Sequence, residues 1–245
     1  MTVSTTVPSD VVVVGGGVAG LSAAIFTARH GLDTLVVDAG QSILRRNAHL
    51  ENFPGFPAGV NARQLLDLLS EQAEAAGCER IEDTVVRVEE SDDRSGFAGE
   101  TEGGERYRTE YVVAATKNEV GHLDGIEGVG IIDRGKAFVD TNERGRTGVD
   151  GLYAADRLAE KPHQAIVCAG HSAEVGVTIL EDDDHPFYHD WVAHKDYFTD
   201  RERDLPPGCE EIDEDERESN ALAVMQDRFV DRHPDDQETH PSLEQ

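Results

Sequence analysis

Apolar positions run unbroken from Val11 to Val14 behind Asp10, and again through Leu35 to Val37 within Asp33–Asp38. Runs without polar alternation suit strands covered on both faces, as in a parallel sheet. Between them lie Gly15-Gly16-Gly17-Val18-Ala19-Gly20 and a helical stretch, Leu21 to His30, stopped by Gly31. Strand, glycine turn, helix and strand within about 30 residues predict a βαβ unit with a right-handed crossover. Arg45 to Val60 carries Pro54, Gly55, Pro57 and Gly59 and reads as a loop. Asn61 is placed to cap a helix ending near Ala76, with an apolar stripe at Leu65, Leu66, Leu68 and Leu69 and Gly77 as its stop. Glu82–Glu89 and Tyr107–Ala115 read as strands, joined by glycine-rich hairpin loops between Ser91 and Glu105. Val139-Asp140-Thr141-Asn142 leads into a turn near Gly145. A short strand at Gly151–Ala155 precedes a helix from Pro162 to about Leu180, with proline near the first turn.

Composition changes the picture beyond residue 180. From Glu181 onward about 22 acidic residues face about six basic ones, with aromatics at Phe187, Tyr188, Trp191, Tyr197 and Phe198 able to pin the first half onto the domain. The expected division is a domain over 1–180 and an acidic extension over 181–245. The whole chain has a net charge of −28, with lysine only at 117, 136, 161 and 195. Such a surface repels polyanions, which excludes nucleic acid and anionic membrane as partners. Dense carboxylate with little lysine fits a halophilic protein, its repulsion screened in concentrated salt. No segment reaches the roughly 20 apolar residues of a membrane span. The polar opening MTVSTTVPSD lacks the features of a signal peptide. Cys78, Cys168 and Cys209 are scattered and odd in number, which fits a reducing, cytoplasmic setting.

The pattern Gly15-x-Gly17-x-x-Gly20 sits between an apolar strand and a helix, and Asp38 closes the next strand about 20 residues on, as a dinucleotide site requires. Gly15 permits the tight turn, Gly17 lets backbone approach a pyrophosphate, and Gly20 lets the helix pack close. The helix N-terminus offers free N–H groups to the phosphates. Asp38 can accept both ribose hydroxyls and disfavours a 2′-phosphate. These residues do not separate FAD from NAD.

The stretches DVVVVGGGVAGLSAA, LVVDAG and LENFPGFPAGV, with YVVAAT and RTGVDGLYAADRLAEKPHQAIVCAG further on, resemble the FAD-binding half of the thioredoxin reductase family. The likeness covers roughly 10–116 and 131–180. It implies a Rossmann-like FAD/NAD(P)-binding α/β fold: a doubly wound parallel sheet with a small antiparallel element. It also implies FAD as cofactor, with NAD the alternative. Gly15, Gly17, Val18 and Ala19 would then face the pyrophosphate, with Gly20 completing the fingerprint, and Asp38 and Ala39 the adenosine ribose. Val86 would meet the adenine through its backbone, Asn52 and Thr116 would lie toward the flavin, and Gln164 and Ala165 would open the last helix beneath the ring's pyrimidine end.

Four departures limit the likeness. About 40 residues separate Ala115 from the closing motif, too few for the family's inserted NADPH domain. The family's Cys-x-x-Cys pair is absent, and Cys168 reads as a small core residue. In the closing motif Asp156 and Arg157 stand where the family has glycine and aspartate. Either Asp156 takes the aspartate's place by a one-residue shift, or Arg157 meets the pyrophosphate as a cation. Lys117 replaces a glycine beside the cofactor.

Arg45 and Arg46 could contact phosphate or an anionic substrate, and His163 could approach the isoalloxazine. His185, His189 and His194 have spacings a metal could use, but solvated or aromatic-packed histidines explain them better, and no metal is expected. The combined reading is an FAD-binding oxidoreductase fed by an external NAD(P)H or redox-protein donor, without a dithiol relay; a homodimer is compatible with it. A non-catalytic FAD- or NAD-binding protein and a single-domain NAD-binding synthase stay open.

Overall fold

The computed structural model describes residues 6–91, 96–183 and 190–216. Its described residues divide into two compact units, one up to Ile179 and one from Leu180 onward.

The first unit is an α/β domain. β1 (Thr6–Val14), α1 (Val18–Arg29) and β2 (Thr34–Val37) form the βαβ unit. β1 starts earlier than its apolar run, because Thr6–Ser9 pair with Arg106–Thr109 of a later strand. α2 (Ala62–Ala75) follows, capped by Asn61, whose Oδ1 accepts from the N–H groups of Arg63 and Gln64 at 3.0 and 3.4 Å. Leu65 and Leu66 on its apolar stripe are buried. The expected strand at 82–89 begins three residues later, as β4 (Val85–Glu90), and a separate short strand, β3 (Glu79–Ile81), precedes it. β5 (Phe97–Thr101) forms an antiparallel hairpin with β6 (Arg106–Ala114). Then come a small hairpin of β7 (Ile131–Asp133) and β8 (Ala137–Val139), the short strand β9 (Leu152–Ala154) and the helix α3 (Ala165–Asp182).

β3, β2, β1, β6 and β9 lie side by side and parallel. Along one edge β6 pairs with β1; along the other its first half pairs with β5 and its last three residues with β9. Val12 and Val14 of β1 share one core cluster with Leu35, Val37, Val112, Ala114, Leu152 and Ala154, joined by Val88, Phe97 and Val139 from the antiparallel strands. Alternation thus survives inside the uniformly apolar run, one face against the antiparallel layer. Fully burying such a side chain stabilises by about 1.5–3 kcal/mol.

In the second unit β10 (Trp191–His194) pairs in parallel with β11 (Cys209–Ile212). Three of the aromatics expected to pin the tail, Trp191, Tyr197 and Phe198, pack on one another. Trp191 lies edge-on to Tyr197 and Phe198 at 4.9 and 5.5 Å between ring centres, and Arg201 covers Tyr197. The Glu211 carboxylate accepts from the backbone N–H groups of Asp196, Phe198 and Thr199, and these bonds hold its pKa below the usual range. Phe187, Tyr188, His185 and His189 lie outside the described residues. His194 sits edge-on to Tyr197, with Nδ1 2.9 Å from the Lys195 carbonyl oxygen, and no metal-ligating cluster occurs among the described residues.

Candidate functional site

The carboxyl ends of the parallel strands open onto a cleft of about 880 Å3, toward the upper end of the roughly 300–1,000 Å3 of ligand sites. In sheet order it is lined by Asp83–Val85 beyond β3, Asp38 and Ala39 beyond β2, Gly15–Gly17 beyond β1, Ala115–Lys117 beyond β6 and Asp156 beyond β9. β1 has β2 on one side and β6 on the other, so chain connections diverge there. Open α/β sheets bind nucleotides at such a switch point.

The glycine turn is shaped by what its missing side chains would strike. Gly15 is left-handed, at φ +112°, and a Cβ there would stand 2.7 Å from the Ala115 carbonyl oxygen. On Gly16 a Cβ would strike the Asp38 carboxylate, and on Gly20 the Gly15 carbonyl oxygen. Gly17 lines the cleft and is free of such limits, since its Cβ would meet only Ser42 Oγ, at 3.5 Å. It begins α1 without any side-chain cap, leaving first-turn N–H groups in want of an acceptor. A pyrophosphate over Gly17, beside Val18 and Ala19 in the lining, fits that space and those donors.

Asp38 is buried, with Oδ1 accepting from the Gly40 N–H at 2.9 Å and Oδ2 from Arg80 Nη2 at 2.6 Å. The guanidinium reaches it because β2 and β3 pair with Val36 opposite Arg80. Two fixed donors hold the carboxylate in one orientation and leave oxygen lone pairs for ribose hydroxyls. No local signal marks Arg80, which lies 42 residues from Asp38. Val86 is half-exposed and outside the lining; its buried neighbour Val85 stands in the wall.

At the other end Asn52 Nδ2 donates to Gln164 Oε1 at 2.7 Å, joining the proline-rich loop to the residue before α3. Asn52, Gln164, Ala165, Thr116 and His163 all line the cleft, as does Arg46, while Arg45 does not. The two alternatives for the closing motif part here: Asp156 lines the cleft and Arg157 does not, its Nη1 lying 3.3 Å from His163 Nδ1. Asp156 donates its backbone N–H to His171 Nδ1 at 3.1 Å, and its Oδ1 is buried without a hydrogen-bond partner. Burial raises its pKa, against the pull of the Cys168 thiol and of Arg157. An acceptor left orphaned in the wall fits a ligand hydroxyl or N–H.

Lys117 and Asp156, which stand where the resembled family has glycine, keep the glycine conformation at φ 66° and 62°. Left-handed non-glycine residues cost about 1–3 kcal/mol each and gather at functional sites. The pKa of Lys117 is lowered by partial burial and by the charges of Arg157, Arg46 and Lys136, and that of His163 by burial, Arg157 and Lys117. His122, in the short 3-10 helix Gly121–Leu123, is a buried lining residue that the sequence did not suggest; burial pushes it down to about 4. Burial pushes the Cys78 and Cys168 thiols up to about 11 and about 12, so neither forms thiolate readily at neutral pH. No described helix is long and apolar enough to cross a membrane.

Residues 10–49 match the family model of an FAD binding domain. The thioredoxin reductase of Streptomyces coelicolor is 42% identical over 84 residues, 33% of this chain and 26% of that protein. That of Rickettsia felis is 35% identical over 115 residues, 46% and 36% of the two chains. That of Rickettsia conorii is 28% identical over 171 residues, 69% and 50%. The chain therefore spans between about a quarter and half the length of these relatives. Among solved structures, the Gloeobacter violaceus thioredoxin reductase superposes with a TM-score of 0.61 at 17% identity, over 75% of this chain and 98% of the other. The Streptococcus pyogenes enzyme gives 0.65 at 13%, over 74% and 99%. Fold and cleft define a Rossmann-like α/β protein of the FAD/NAD(P)-binding type. The family model and the sequence likeness support FAD as its cofactor and set the chain beside the thioredoxin reductases.

Proposed function

We propose that this chain is an FAD-dependent oxidoreductase that draws electrons from a donor arriving from solution, not from a second nucleotide domain of its own. The carrying observation is the connection between β6 and β9. It holds only a 3-10 turn and the β7–β8 hairpin, with no βαβ unit, yet the cleft across the strand ends is complete. Bound FAD would supply hydride and electron exchange. Gly15, Gly17, Val18 and Ala19 hold the pyrophosphate and Gly20 packs α1 beneath it. Asp38, oriented by Arg80, takes the ribose beside Ala39, and Val85 takes over at the adenine from Val86. Asn52, Thr116, Gln164 and Ala165 surround the ring end. Asp156 offers its orphaned oxygen to the cofactor, while Arg157 acts behind it on His163. The raised thiols of Cys78 and Cys168, with Cys209 in the other unit, support chemistry without a dithiol relay. The acid-rich surface supports work in concentrated salt.

The test is a visible spectrum of the purified protein, identification of the nucleotide released on denaturation, and anaerobic titration with NADH, NADPH and reduced ferredoxin. Flavin bands, released FAD and bleaching by one donor are expected. A colourless protein releasing NAD or nothing would sink the reading. Flavin that no donor bleaches would leave a cofactor-binding protein without turnover.

A further inference from the structure

In a chain carrying −28, cations gather in one corner of the cleft. Arg46 reaches the wall from the 3-10 helix Ile43–Arg46, and Lys117 from the turn after β6. Arg157 lies behind His163, 3.3 Å away. Lys136 belongs to the turn of the β7–β8 hairpin, which Asn118 holds beside Lys117 by donating to the Ala137 carbonyl at 2.8 Å. Two of the four lysines of the protein thus meet at the segment where the resembled family carries its NADPH domain.

This arrangement is not a by-product of ion pairing. Neither Arg46, Lys117 nor Lys136 forms a salt bridge with any described carboxylate, and the acid whose charge is felt at Lys117 is Glu119, against three cations. Elsewhere in this domain arginines pair with acids, as Arg80 with Asp38 and Arg134 with Glu160. Lys117 is also held left-handed, where glycine would sit without strain. Strain and mutual repulsion at one exposed lysine, with no partner to offset them, imply a ligand that does.

We propose that Arg46, Lys117 and Lys136 form an anion site at this end of the cleft, which takes a small phosphate- or carboxylate-bearing molecule. The inference rests on the FAD reading of the cleft and gives the class of the second ligand. Size follows from electrostatics. A small anion senses only charges within a Debye length, about 8–10 Å at ordinary salt, so it meets the cations and escapes the acidic remainder. An acidic protein would face that remainder as well.

The test uses the flavin-loaded full chain at constant ionic strength, titrated with inorganic phosphate, citrate, NAD+ and NADP+, read by the flavin difference spectrum and by calorimetry. Saturable binding is expected, weakened about five-fold or more by Lys117→Gly and again by Lys136→Gln, as loss of one favourable charge contact implies. Lys117→Gly should melt no lower than the parent, because glycine accepts its backbone, so weaker binding cannot be blamed on misfolding. NADP+ tighter than NAD+ identifies the phosphate source; citrate tighter than phosphate identifies a carboxylate. Equal affinity across the variants, absence of saturation, or binding confined to an acidic redox protein would overturn the proposal. If the protein carries no flavin, the oxidoreductase reading fails separately, and phosphate calorimetry with the same two variants still decides the anion site.

Discussion

The four glycines between positions 15 and 20 do different work, and substitution separates them. A methyl at Gly20 drives into the Gly15 carbonyl, so Gly20→Ala has to push α1 off β1. Overpacking of this kind costs about 1–3 kcal/mol or more, read as a lower urea midpoint in the cofactor-free protein. Gly17→Val meets only Ser42 and open cleft. It should leave cofactor-free stability within about 1 kcal/mol while removing FAD loading; stoichiometric FAD in that variant would refute the pyrophosphate assignment. His122 gives a pH prediction of definite sign. Its folded pKa, about 4, lies below the unfolded value near 6.5, so between these values the unfolded chain binds the extra proton. Stability is therefore full above pH 6.5 and is lost as pH falls toward 4, by about 3 kcal/mol. His163 and His171 are shifted in the same direction, and the raised Asp156 opposes them. The share belonging to His122 is the difference between parent and His122→Leu in urea melts at pH 7 and 4.5. Parallel pH profiles for the two proteins would show that His122 contributes nothing.

At the scale of elements, what was legible was what local chemistry specifies. Four consecutive valines, a glycine turn and an Asn61 cap each fix their own neighbourhood, and β1, α1, β2, α2 and α3 appear with ends shifted by a few residues. β5, β7 and β8 were illegible because strands of three to five residues carry little pattern; β2 and β9, equally short, were read only through the motifs they adjoin. β8 fully buries only Val139, and β7 none of its residues. The site divides the same way. Gly15, Gly17, Gly20 and Asp38 are spaced along one βαβ unit, so sequence distance reports spatial distance. Arg80 reaches Asp38 only through the β2–β3 register, and Lys136 nears Lys117 only through the hairpin. Val85 rather than Val86 enters the wall because alternation along β4 buries Val85 and turns Val86 outward. A one-residue change of phase exchanges the faces of a strand, and no local signal marked it. Lys117 and Asp156 looked like broken motif positions, yet their backbone keeps the glycine geometry, a property invisible in residue type.

For the whole molecule, net charge sets up two opposed responses to salt. A charge of −28 on 245 residues repels itself, and compaction makes the repulsion worse. The Debye length shrinks from about 10 Å at 0.1 M to about 3 Å at 1 M, so added KCl should raise the urea midpoint of the cofactor-free protein and level off by about 1 M. Continued rise beyond that point would indicate surface exclusion of salt instead, and sulfate would then far exceed chloride. The cationic corner answers in reverse, since the attraction that gathers a small anion to Arg46, Lys117 and Lys136 is screened by the same ions. Anion affinity should fall over the range in which stability climbs, and Lys136→Gln should flatten the fall. A protein whose stability and anion affinity moved together with KCl would contradict the separation of one local positive field from a negative whole.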